Sequence, residues 1–183
     1  MIESDLQNLK DYLVDVYQLK NVIRYNTRNI LKKESVAEHS FYVALFALKI
    51  CDDYNIDAVS TEMSLIKALL HDMPEIELND ITHNVKERLN LRPFLKKYED
   101  EYFIEHYKQH EWLMIEGNDK INAIVDLADA MSVYQYSLNE TMLGNHSNDI
   151  KEIFDESKKR VAKLKSNLEK VLAKEGNQHE ELQ

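Results

Sequence analysis

The chain has 183 residues, 33 acidic against 23 basic side chains, a formal net charge of −10, and 44% hydrophobic residues. That hydrophobic share supports a core-bearing globular domain, and the negative field repels phosphate backbones and anionic lipid, so neither a nucleic acid polymer nor a membrane is an expected partner. One cysteine, Cys51, excludes an internal disulfide framework and points to a reducing, cytoplasmic setting, and no apolar run approaches the length of about 18 residues that a membrane span needs.

Three glycines and two prolines are too few for the turns a sheet requires, and neither GxGxxG nor GxxxxGK[ST] occurs. Dinucleotide-binding and P-loop classes are thereby excluded, and an all-α fold is expected. Leu6, Leu9, Leu13, Val16 and Tyr17 form an apolar stripe that predicts a helix over residues 3–19. A basic break with Arg24, Arg28, Lys32 and Lys33 follows. Ser35-Val36-Ala37-Glu38 reads as a capping box opening a helix to about Asp53. A helix over 61–72 is expected to stop because Pro74 disfavours helical geometry at Met73. The stretch 74–97, with both prolines, reads as irregular. Helices over 98–116 and 119–141 come next, the second opened by Asn118 or Asp119. The last, over 148–174, repeats Ile150, Phe154, Val161, Leu164, Leu168 and Val171 near heptad spacing, a stripe for its own domain or for a dimer. One domain over residues 1–175 with a frayed tail at 176–183 accounts for the whole chain.

Four residues carry the expected chemistry. His39 lies in the first turn of an apolar helix, where a lone histidine is more often a structural core residue. His71 and Asp72 are adjacent at the end of Leu65-Ile66-Lys67-Ala68-Leu69-Leu70, and buried polar groups need partners. Their bland reading is an aspartate orienting a core histidine. Asp129 lies beside the apolar face Ile121, Ile124, Val125, Ala128 and Met131, with Asp126 as its partner or as a solvated residue. Two imidazoles with two carboxylates form a mixed nitrogen and oxygen set suited to one divalent transition ion: Co, Mn, Fe, Zn or Ni. Such an ion acidifies water and polarises a phosphoryl oxygen, the requirement for metal-dependent phosphate ester hydrolysis.

The order His39 … His71-Asp72 … Asp129 resembles the HD-domain metal-dependent phosphohydrolases. Leu19 to Tyr25, Glu34 to Ser40, His71-Asp72-Met73-Pro74-Glu75 with Asp80, and Ala128-Asp129-Ala130 with Tyr134 resemble more closely the YfbR-like bacterial 5′-deoxynucleotidases. The resemblance implies a single HD-domain helical bundle in which His39, His71, Asp72 and Asp129 hold the metal. It implies that Glu75 orients or deprotonates the attacking water, with Asp72 beside it in the catalytic pair. Arg24 matches the phosphate-binding arginine, and Asp80 matches the residue that contacts the sugar 3′-hydroxyl. Tyr25 stands where the family has tryptophan and would wall the sugar. Beyond the departure Ile81-Thr82-His83-Asn84-Val85, Lys86 reads either as a phosphate contact or as a solvated lysine, and His83 either as a loop residue or as a contact for a longer phosphate chain.

The expected function is hydrolysis of deoxynucleoside 5′-monophosphates, with a dNTP phosphohydrolase at the same site as the alternative and a non-catalytic nucleotide-binding helical protein behind it. The family's habit implies a homodimer. Other groups read as structural: His106 and His110 as a solvated i,i+4 pair, Cys51 as buried, Met63, Met73, Met114, Met131 and Met142 as core filler, and Tyr98, Tyr102, Tyr107 and Trp112 as packing.

Overall fold

Side-chain caps and two prolines decide where the helices start and stop. The computed structural model describes residues 16–116 and 118–180, apart from the side chains of 83, 84 and 176–180, and every regular element among them is helical. The helix expected over 3–19 lies mostly outside the described residues; its end at 16–18 is helical and runs into a 3-10 turn, Leu19–Asn21. Helix α1, Val36–Asp53, opens on the full capping box, with Ser35 Oγ accepting from Glu38 N at 3.2 Å and Glu38 Oε2 accepting from Ser35 N at 2.8 Å.

Helix α2, Ala58–Leu70, starts earlier than the apolar spacing suggests because the Asp57 carboxylate accepts from Ser60 N at 2.9 Å. It also ends two residues before the expected Asp72. Pro74 has no N–H to offer the Leu70 carbonyl, and that carbonyl instead accepts from Met73 N at 3.0 Å, which tightens residues 71–74 into turns.

The stretch read as irregular contains two short helices, α3 (Glu75–Leu78) and α4 (His83–Arg88), and the first turn and a half of α5 (Arg92–His106). Asn79 and Asn90, with φ of 57° and 51°, punctuate it in the left-handed region that asparagine tolerates. Pro93 sits in the first turn of α5, where a missing N–H is harmless. The single helix expected over 98–116 is divided: α5 stops at His106, and α6, Glu111–Ile115, follows. Tyr107 marks the break, its ring buried against Phe103 and Tyr102.

Helix α7, Asp119–Met142, is capped by Asn118, whose Oδ1 accepts from Ile121 N at 2.8 Å. Gly144 takes a φ of 94° in the turn that leads to α8, Asn148–Glu180, which runs past the expected residue 174. Helix α7 packs against α1, α2 and α8. Their shared core holds Val43, Ala47 and Cys51 of α1, Ala68 of α2, Ile124, Leu127 and Ala128 of α7, and Leu168 of α8. Alanines at facing positions let the helix axes approach closely. Val161, Leu164 and Val171 pack on the same core, so the heptad-like stripe serves its own domain. A second cluster, Leu19, Val22, Val36, Met73, Tyr102, Phe103, Tyr107 and Met114, ties α5 and α6 to the start of α1. Met142 at 77% and Trp112 at 46% exposure are not core residues, because each sits at a helix face or end that nothing covers among the described residues. No helix among the described residues is long and apolar enough to cross a membrane.

Candidate active site

The capping box at Ser35 places His39 one turn into α1 with no exposed surface, and the tight turns before Pro74 aim His71 and Asp72 at the same point. Helix α7 supplies Asp129 from the other side. The Nδ1–H of His71 donates to the Ala68 carbonyl at 2.7 Å, and His39 Nδ1 lies 3.1 Å from Ser132 Oγ. With Nδ1 engaged on each ring, both Nε2 atoms face inward, the orientation a metal-binding imidazole needs.

His39 Nε2 lies 3.1 Å from Asp129 Oδ1 and 3.6 Å from Asp72 Oδ2, and His71 Nε2 lies 3.2 Å from that same Asp72 oxygen. Neither buried Nε2 has a hydrogen-bond partner among the described residues. One ligand atom each from His39, His71 and Asp72 all fall within 4.8 Å of one another. Leaving two buried nitrogens unpaired is costly unless something else occupies their lone pairs, and this donor chemistry suits a divalent transition ion.

Electrostatics sets the two imidazoles apart. Burial, with the charge of Arg24, pushes the His39 imidazole down to about 4, so it is neutral and free to ligate. Burial opposes charge on His71 too, but Asp72 and Asp129 outweigh it and raise the ring to about 9, so without an ion this imidazole is protonated with Nε2 turned to Asp72, and a bound ion would have to displace that proton. Burial alone would raise Asp72 and Asp129; the histidines beside them reverse this and hold both carboxylates well below their usual range. Glu75 behaves oppositely. Burial and the charges of Asp72 and Asp80 push its carboxyl up to about 8.

An isolated antiparallel bridge between Ile23 and Ser35, with Arg24 N donating to the Glu34 carbonyl at 2.9 Å, closes residues 23–35 into a loop and delivers Arg24 to the start of α1. Its Nη1 is buried without a partner among the described residues. Tyr25, in the left-handed region at φ 54°, stacks on Tyr136 with centroids 5.3 Å apart and 15° between ring planes. A cavity of about 600 Å³ joins these parts: Arg24, Tyr25, Asp72, Glu75, Asp80, Lys86 and Asp129 all line it, with the two histidines behind Asp72 and Asp129. The expected site residues therefore converge on one place. Glu75 and Lys86 also face a second, smaller cavity next to His71.

Other readings need correction. The pair His106 and His110 does not lie on one helix, since the break at Tyr107 separates them, and His106 stacks on Tyr102 at 4.5 Å. Of the two readings of Asp126 the solvated one holds, since it is exposed; Asp129 pairs instead with Arg160, whose Nη2 donates to Asp129 Oδ2 at 2.8 Å, as well as with His39. Arg28, part of the basic stretch, is paired with Asp149 at 2.8 Å, and the side chain of His83 lies outside the described residues. Sequence reasoning missed Arg160, Ser132 and Glu34. Arg160 follows Lys158 and Lys159 on an otherwise solvated face, and Ser132 is one of several serines on its helix, so neither carried a signal. Glu34 is 9% exposed, and burial pushes its carboxyl up to about 7 despite the nearby Arg24 charge.

The fold recurs in solved structures. A conserved hypothetical protein from Pyrococcus furiosus is similar at a TM-score of 0.72 and 18% identity, covering 90% of this chain and 96% of that one. An HD-domain phosphohydrolase from Listeria innocua is similar at a TM-score of 0.65 and 23% identity, over 91% of this chain and 88% of its own. A cyanophage S-2L HD phosphohydrolase bound to dA and one catalytic Zn²⁺ ion is similar at 0.62 and 13% identity, over 88% and 96%. No curated protein matches the chain significantly in sequence. The model of the 5′-deoxynucleotidase YfbR-like family matches residues 11–175, nearly the whole chain and all of the site just described. The all-helical HD-type fold and this match make the chain a hydrolase that belongs to the YfbR-like 5′-deoxynucleotidase family.

Proposed function

We propose that the protein hydrolyses deoxynucleoside 5′-monophosphates to deoxynucleosides and phosphate. One observation carries the reading: His39 Nε2, His71 Nε2 and Arg24 Nη1 are buried with no hydrogen bond among the described residues, and the two imidazoles gather against Asp72 and Asp129 at 3.1 to 3.6 Å beside one cavity. In this reading His39, His71, Asp72 and Asp129 hold one divalent ion: Co, Mn, Fe, Zn or Ni. When bound, the ion supplies Lewis acidity to water and to a phosphoryl oxygen.

The chain's own groups do the rest. Arg24 takes the phosphoryl oxygens with its unpaired guanidinium edge, and Lys86 adds a second positive charge. Glu75 accepts the proton of the attacking water as the new O–P bond forms, assisted by Asp72 in orienting that water. The bond from phosphorus to the 5′-oxygen breaks, and that oxygen takes the proton back from Glu75 and leaves as the sugar hydroxyl. Tyr25, held flat by Tyr136, walls the sugar, and Asp80 offers an oxygen to the 3′-hydroxyl. A nucleoside and a zinc ion in the cyanophage protein support a nucleoside-sized ligand and a transition metal in this fold.

A second reading, hydrolysis of dNTPs, has its own observation: besides Arg24 and Lys86 the cavity is lined by Arg28, Arg92 and Arg160, each already paired with a carboxylate, a longer basic wall than one phosphate requires. Phosphate and pyrophosphate release from dNMPs, NMPs and dNTPs with Mn²⁺ or Co²⁺, in wild type and Glu75→Gln, separates these readings. Release from dNMPs above NMPs, lost in the variant, supports the nucleotidase. Activity confined to dNTPs moves the substrate and keeps the site. Binding with no turnover of any nucleotide leaves a nucleotide-binding protein.

We further infer a cytoplasmic homodimer. Phe41, Tyr42, Leu45 and Leu48 on the outer face of α1 are all exposed, an apolar row a second copy would cover. Light scattering on the purified chain tests it; a monomer at micromolar concentration removes the dimer.

A further inference from the structure

Asp129 is the proposed metal ligand that α7 supplies, and it is half-buried in front of His39. Its two oxygens have different partners. Oδ1 faces His39 Nε2 at 3.1 Å, and Oδ2 accepts from Arg160 Nη2 at 2.8 Å. Arg160 comes from α8, the helix that otherwise contributes packing. Its side chain is 48% exposed, whereas that of Asp129 is 19% exposed. An ion pair on an open surface contributes little, because solvent screens it and long side chains lose freedom. This pair differs, since one member is a carboxylate whose other oxygen points into a cluster of unpaired nitrogens.

A carboxylate on a helix can present either oxygen, or both, to a neighbouring cation. Holding Oδ2 outside the cluster leaves only Oδ1 directed inward. A carboxylate so held is a one-oxygen ligand, and it leaves more of the coordination sphere for water and phosphate. Ser132 at His39 Nδ1 and the Ala68 carbonyl at His71 Nδ1 do the equivalent work for the two imidazoles.

We infer that Arg160 is a positioning residue for the metal centre, holding Asp129 so that a single oxygen faces the ion and coupling helix α8 to the site. The inference rests on the metal reading of the preceding subsection. It also predicts that Arg160 acts on the metal in the absence of nucleotide, which a phosphate-contacting arginine would not do.

The test is Co²⁺ binding to the metal-stripped full chain, without nucleotide, by calorimetry and by the visible absorption of the bound ion. Wild type, Arg160→Gln and Arg160→Lys are compared, with thermal melts of each metal-free protein. Arg160→Gln should bind Co²⁺ about ten- to a hundredfold more weakly, as loss of a group orienting a ligand does, with a changed absorption intensity. Arg160→Lys, which keeps one charged donor, should recover part of the affinity. If Arg160→Gln melts early, the lysine variant carries the test, and wild-type affinity with an intermediate melt would overturn the inference. So would a Gln variant with wild-type affinity and spectrum. A wild type that binds no Co²⁺ overturns the metal reading itself, a result distinct from loss of the Arg160 effect alone.

Discussion

The backbone N–H of Tyr25 donates to Asp80 Oδ2 at 2.8 Å, across 55 positions of sequence. This bond fastens the loop that carries Arg24 to the segment between α3 and α4, and both Tyr25 and Asn79, the residue before Asp80, have positive φ. One Asp80 oxygen is therefore used in building the site, and the other faces the cavity. Asp80→Asn keeps an acceptor for Tyr25 but loses the second acceptor, and kcat/KM for dNMPs should fall about tenfold. Asp80→Ala loses both and should fall by a further order of magnitude. Steady-state kinetics on matched dNMP and NMP pairs check this; an alanine variant equal to the asparagine variant would mean that the Tyr25 bond contributes nothing.

Bound metal should stabilise the fold. In the proposed site, the carboxylates of Asp72 and Asp129 and the inward-facing imidazole nitrogens of His39 and His71 would hold an ion that the unfolded chain cannot gather. At free metal a hundredfold above its dissociation constant the gain is about 2.7 kcal/mol. For a chain of this size that raises Tm by about 5–10 °C. Melts of chelator-treated and Mn²⁺- or Co²⁺-loaded protein should show the shift, and Asp72→Asn should abolish it. A full shift in Asp72→Asn would place the ion elsewhere.

Glu34 gives stability a pH dependence of a known sign. Burial raises its carboxyl from 4.5 to about 7, against the opposing pull of Arg24, so the folded protein favours the protonated form. Its contribution is complete below about pH 4.5 and is lost as pH rises through 7. Glu34→Gln fixes the neutral form. The variant should match wild type near pH 4.5 and gain on it by about 1–3 kcal/mol above pH 8. Melting curves of both proteins between pH 4.5 and 8.5 measure this, and a constant difference across that range refutes it.

Glu140 is 1% exposed and accepts from Leu31 N, Lys32 N and Asn145 Nδ2, each at 2.7 Å. It anchors the far end of the loop that begins at Arg24. Glu140→Ala leaves buried donors unpaired and should cost about 2–4 kcal/mol in denaturant unfolding. Arg24 shares that loop, so KM for the nucleotide should rise with less change in kcat. An unchanged KM would show that the bridge at Ile23 and Ser35 alone holds Arg24.

The positions of the principal helices were legible because their signals are local. The Ser35 capping box, the Asn118 cap and the apolar spacing of α7 and α8 act within a few residues, and the structure shows each in place. The boundaries that failed depended on competition. Pro74 tightened the chain before it, Asp57 captured Ser60 N and lengthened α2, and burial of Tyr107 in a distant cluster divided what periodicity presents as one helix.

The four proposed ligands and Glu75 stand out in the sequence because their types and order resemble a family's pattern, and the structure brings them to the same region. Arg160 could not, since a half-exposed arginine 31 positions from Asp129 resembles any solvated cation until α8 folds back along α7. The sequence by itself determined an all-helical chain, its main caps and the residue types available for chemistry, all consequences of interactions spanning a turn or two. Only the tertiary structure decided which oxygen of Asp129 faces inward, that Asp80 fastens Tyr25, and that Ser132 and Ala68 orient the imidazoles. Apart from the Ala68 bond within one turn, those are contacts between segments far apart in the chain, and they form only when the helices pack.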